Sequence, residues 1–149
     1  MHETLLIIHI LAAATWIGGS LTIMFLSRRL RANSHEAGAG LMEAFMQMGK
    51  MYFPPAAVVL LLTGILLVLD SSDHGFEDAF VAIGIAVVIA GAFLGIKVFD
   101  PIAQQAKQGH DEKDDAAVDR AYRRFARFGV LELALLTFAV VAMVTTLGG

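Results

Sequence analysis

The chain has 149 residues, of which 57% are hydrophobic and only 17% charged, with a mean hydropathy of +0.69. That is too apolar for an ordinary soluble domain, and the length argues for one domain, residues 1–149. A formal net charge of −3 gives no grip on nucleic acid, and the absence of cysteine excludes disulfides, thiolate metal sites and thiol chemistry.

Four apolar blocks each reach the roughly 17–25 residues that a helix needs to cross a bilayer. The first spans 4–27 and carries no charge. Its leader, Met1 to Glu3, lacks the basic region of a cleaved signal peptide, so it reads as a retained span. Ser34 to Met48 then reads as a short amphipathic helix, with Leu41, Phe45 and Met48 on one side, able to lie in the membrane interface. Pro54 and Pro55 follow, tolerable in the first turn of the second span, 51–69. An acidic loop with Asp70, Asp73, Glu77 and Asp78 leads to the third span, 80–98, which ends with Lys97. The next loop starts at Asp100-Pro101 and runs polar through Asp115. Asp114 or Asp115 is placed to cap a helix continuing through Arg127 into the fourth span, 128–147, which holds one charge, Glu132.

Charge sets the expected orientation. Arg28, Arg29, Arg31 and Lys50 lie between spans one and two; Lys97, Lys107, Lys113, Arg120, Arg123, Arg124 and Arg127 lie at the end of span three and beyond it. Together these are all the Lys and Arg of the chain. Positive residues stay on the cytoplasmic side of short loops, so both termini are expected outside, in a bacterial inner membrane. The arginines before span four then sit at the anionic inner leaflet. The expected fold is an all-α, antiparallel transmembrane four-helix bundle. Small residues mark buried faces in lipid: Gly84, Gly91 and Gly95 on span three, and His9, Ala13, Trp16 and Ser20 on span one, with Gly19 beside them.

Ionisable residues inside spans are functional candidates, and here they are His9, Lys97 and Glu132. An imidazole at position 9, near the outer side, suits haem iron, copper or proton relay; the structural alternative is a hydrogen bond to a neighbouring helix. Met143 lies at matching depth on the stripe of Glu132, Leu136 and Ala139, and offers a second haem ligand or a core filler. Trp16 shares the His9 stripe and is counted with these two as a cofactor contact. His2, His9, His74 and Met143 on the outer side form a candidate copper set. Glu132 is expected to pair with Lys97, an arginine or a backbone group. Thr63 and Thr137 are the weak candidates for a relay partner, and Lys97 is expected to snorkel to the interface. His35 and His110, in the inner loops, read as solvated. No phosphate loop, dinucleotide fingerprint, HExxH or nucleophile elbow is present, which excludes the ordinary soluble enzymes.

The run Leu6 to Gly19, with His9 and Trp16 in an H-x6-W-x-G pattern, resembles the first helix of the CopD-like and HemJ-like small membrane proteins. Pro55 followed by Leu62-Thr63-Gly64-Ile65-Leu66 is similar to their second helix, and Tyr122-Arg123 to the start of their fourth. The resemblance implies a four-helix unit and either haem-associated protoporphyrinogen oxidase chemistry, with His9 as the important histidine, or a link to copper. The chain departs from the HemJ pattern at two places: Phe80-Val81-Ala82 stand where a lysine is expected, and Ala126-Arg127-Phe128-Gly129 where Asn-Glu-x-Pro is expected. The functional expectation is binding of haem b through His9 for electron transfer or haem handling. The alternatives are copper binding or transport, and a structural subunit of a homo-oligomer or larger membrane complex.

Overall fold

The computed structural model describes residues 2–30, 34–71 and 75–147. The chain forms five α-helices: α1 (His2–Leu30), α2 (His35–Leu69), α3 (Ala79–Leu94), α4 (Asp100–Asp111) and α5 (Asp115–Leu147). A π-helical turn, Gly95–Phe99, joins α3 to α4 without a break. The result is a four-rod helical bundle in which all four rods are long and apolar enough to cross a membrane. Around the bundle, α1 packs on α2 and α5, and the α3–α4 rod packs on α2 and α5.

The rods outrun a bilayer. At 1.5 Å per residue α2 is about 50 Å long, against a hydrocarbon core of about 30 Å. One end of the bundle therefore stands clear of the lipid tails, and the residues show which. Ile7, Phe25, Leu62, Phe93, Ile96 and Val144 form an exposed apolar belt. Past it, α4 and the first turns of α5 bury Ile102, Ala106, Val118, Ala121 and Tyr122 against Met42 and Phe45 of α2, and expose Glu112, Lys113, Arg120, Arg123 and Arg124.

Three expectations change here. Ser34 to Met48 is not a separate interfacial helix: it is the first half of α2, where Met42 and Phe45 fill the core at the charged end with Leu41 packed against it, while Met48 is exposed. Pro54 and Pro55 stand mid-helix, not in a first turn. The polar stretch after Asp100 is helix, not loop. Each proline removes a backbone donor and crowds the carbonyl four residues back. At Pro101 the helix has already relaxed into the π turn, where the Asp100 amide donates to the Gly95 carbonyl. The expected cap is present: Asp114 Oδ1 accepts from the Ala117 amide at 3.0 Å. Lys113 turns the chain with φ 56.

Candidate functional site

Trp16, at 1% exposure, is the most enclosed large side chain of the apolar stretch. Its indole reaches across the bundle to α3, where a Cβ on Gly91 would lie 2.8 Å from Cζ2. The small-residue stripe of span three therefore serves this ring at one position only; a Cβ at Gly84 or at Gly95 would meet nothing within 4 Å. Trp16 Nε1 donates to Glu132 Oε1 at 3.1 Å. Glu132 is 7% exposed and sits on the inward stripe of α5. Its partner is thus neither Lys97, which is exposed in the π turn, nor an arginine, but an indole at the same depth on another helix. The buried Ser20 hydroxyl lies beside the same carboxyl and interacts with it, with no other hydrogen-bond partner among the described residues.

These polar groups form part of the wall of a cavity of about 290 Å³, lined mostly by apolar and small residues including Met24, Phe53, Gly91, Gly95 and Gly129. Two backbone irregularities border it. On one side is the Pro54 turn of α2, where the Lys50 and Met51 carbonyls lose their helical donors. On the other is the π turn, which contributes Gly95, Ile96 and Phe99. Lys50 and Asp100, 3.7 Å apart, also line the cavity toward the charged end.

His9 lies elsewhere. Its Nδ1 is 2.8 Å from Thr63 Oγ1, and Thr63 Oγ1 is 2.6 Å from the Val59 carbonyl. A hydroxyl has one proton: when Thr63 gives it to Val59, His9 Nδ1 donates to Thr63, and when Thr63 gives it to His9, Nδ1 accepts. Gly64 lies beside the ring, where a Cβ would make ordinary van der Waals contact with Cε1 at 3.4 Å. Thr63, a weak relay candidate in the sequence, is thus the partner that orients His9. Met143 is half-buried on the inward side of α5. His2 is exposed, 3.7 Å from Asp70; His74 lies outside the described residues. No group of three or more His, Asp or Glu side chains gathers for a metal ion among the described residues.

The solvated reading does not hold for His110, and His35 beside it is half-buried. His110 is 3% exposed, its Nε2 is 3.4 Å from the Tyr122 hydroxyl, and its ring meets His35 edge-on with centroids 5.7 Å apart. The sequence signal was available: Ile102, Ala106 and His110 share one face of α4 at a spacing of four.

Fold and site together define a small helical integral membrane protein with a polar group buried beside a cavity. More particularly, the chain belongs to the DUF2269 family, predicted integral membrane proteins, which it matches over residues 3–149. No curated protein and no solved structure matches it.

Proposed function

We propose that this protein binds a small amphipathic molecule taken from the bilayer, with its apolar body in the cavity and a hydrogen-bonding or cationic group at Glu132 and Ser20. The observation that carries the reading is a carboxyl of 7% exposure, beside a buried serine hydroxyl, in the wall of a largely apolar cavity. Intramembrane carboxyls mark ligand or ion sites, and π turns recur at functional sites in helices. A volume of about 290 Å³ is at the small end of ligand pockets, which favours a molecule with a single alkyl chain. By the positive-inside rule, the cavity lies in the cytoplasmic half with both termini outside.

Trp16 is the chain's single tryptophan and touches Glu132, so its fluorescence reads the site directly. In nanodiscs, dodecylamine is expected to change Trp16 emission saturably. Glu132→Gln should weaken that response by about tenfold or more, the loss of one charge-assisted hydrogen bond. A non-saturable response, equal in both proteins, would contradict the reading.

His9 supports a second reading, metal or haem ligation in line with the CopD-like and HemJ-like resemblance. What favours it is the oriented ring, held through Nδ1 at 2.8 Å from Thr63 Oγ1, as ligating histidines are held by a partner on their second nitrogen. His9 is not in the wall of the cavity beside Glu132, so the two readings concern different places in the bundle. Trp16 is committed to Glu132 and Gly91. Oxidised and dithionite-reduced spectra beside His9→Ala decide it: a Soret band lost in the variant establishes haem, and a colourless protein after haem supplementation removes it.

A further inference from the structure

Away from the cavity, at the charged end, two histidines from different helices meet. We propose that His35 and His110 hold one late first-row transition-metal ion through their Nδ1 atoms. Both Nδ1 atoms are buried and have no hydrogen-bond partner among the described residues. Both Nε2 atoms have outer partners: Tyr122 Oη at 3.4 Å for His110 and Asp115 Oδ1 at 3.5 Å for His35. That division of labour is the one found in metal-binding histidines, whose second nitrogen is held by a carboxylate or another polar group.

The ring spacing agrees. With metal–nitrogen bonds of about 2.1 Å, two imidazoles on one ion have centroids roughly 5–6.5 Å apart; here they are 5.7 Å apart. Gly38 permits the approach. It follows His35 by one helical turn, and a Cβ there would collide with the His110 ring. The bare backbone lets that ring lie against α2 next to His35.

Two imidazoles favour copper, nickel or zinc over magnesium or calcium. The described residues gather no third His, Asp or Glu donor there, so the site offers two protein ligands. Once bound, the ion links the first residue of α2 to the last turn of α4, and through Asp115 to the start of α5.

The test is calorimetric titration of tag-free protein in mild detergent with Zn²⁺ and with Cu²⁺, beside His35→Gln and His110→Gln. The wild type is expected to bind one equivalent with a rise in Tm. Each variant should lose that equivalent, and Asp115→Asn should weaken it about tenfold. His110 is enclosed, so if His110→Gln does not fold, the half-buried His35→Gln decides alone, with circular dichroism as the check on folding. No bound equivalent in the wild type, or an unchanged isotherm in a folded His35→Gln, overturns the proposal.

Discussion

In the apolar stretch, Phe93, Ile96 and Val144 face outward while Ser20, Thr63 and Glu132 are buried; at the charged end Met42, Ile102 and Tyr122 are buried while Glu112, Arg120 and Arg123 face outward. The same four rods thus change the solvent they are built for partway along their length. Lipid tails are as apolar as leucine, so in the first region helices meet through small residues and hydrogen bonds. Gly91 against Trp16 and Thr63 against His9 are such contacts. In the second region, water drives burial, and a core of ordinary apolar side chains forms. The cavity, with Lys50 and Asp100 in its wall, lies where the two regimes meet, and the π turn marks the same level. A backbone that leaves the α-helical pattern is tolerated at membrane depth where it is buried in protein or lines a cavity.

The contrast predicts unequal costs for equal mutations, read as unfolding free energy or Tm in mild detergent. Ile102→Ala, at 1% exposure in the charged-end core, should cost about 2–5 kcal/mol. Ile96→Ala, in the lipid-facing belt at 67% exposure, should cost far less. Equal losses would erase the distinction. Gly38→Ala forces the His110 ring to move and should cost about 1–3 kcal/mol, whereas Gly84→Ala has open space and should be neutral or stabilising by up to about 1 kcal/mol. Thr63→Val removes the His9 partner; interhelical hydrogen bonds in membranes average about 0.6 kcal/mol with a maximum near 1.7, and the loss should fall in that range. The smallest change sharpens the charged end alone: Lys113→Gly relieves a left-handed residue in the α4–α5 turn and should stabilise by up to about 1 kcal/mol.

Much of this architecture is legible in the residues. Apolar runs of membrane-spanning length mark the four rods, and the inward stripes through Trp16 and Glu132 are both visible as spacing. Their pairing was not, because depth on two antiparallel helices is set by loop lengths and helix ends that spacing leaves open by several residues. A search for an opposite charge also looks past an indole as the partner of a carboxyl. The union of Ser34–Met48 with span two was hidden by Pro54-Pro55, which reads as a boundary in water and is tolerated in a membrane helix. His110 was missed because its helix is polar by composition; only the stripe through Ile102 and Ala106 shows that one face is buried.

The proposed site is the cavity beside Glu132, and the cysteine-free chain allows a direct test of its access. Gly95→Cys places a thiol in the cavity wall, and Phe93→Cys places one in the belt. In nanodiscs, a small water-soluble thiosulfonate should modify Gly95→Cys, with protection by dodecylamine, and leave Phe93→Cys unmodified. Equal reactivity at both positions, or no protection by the amphiphile, would contradict the account.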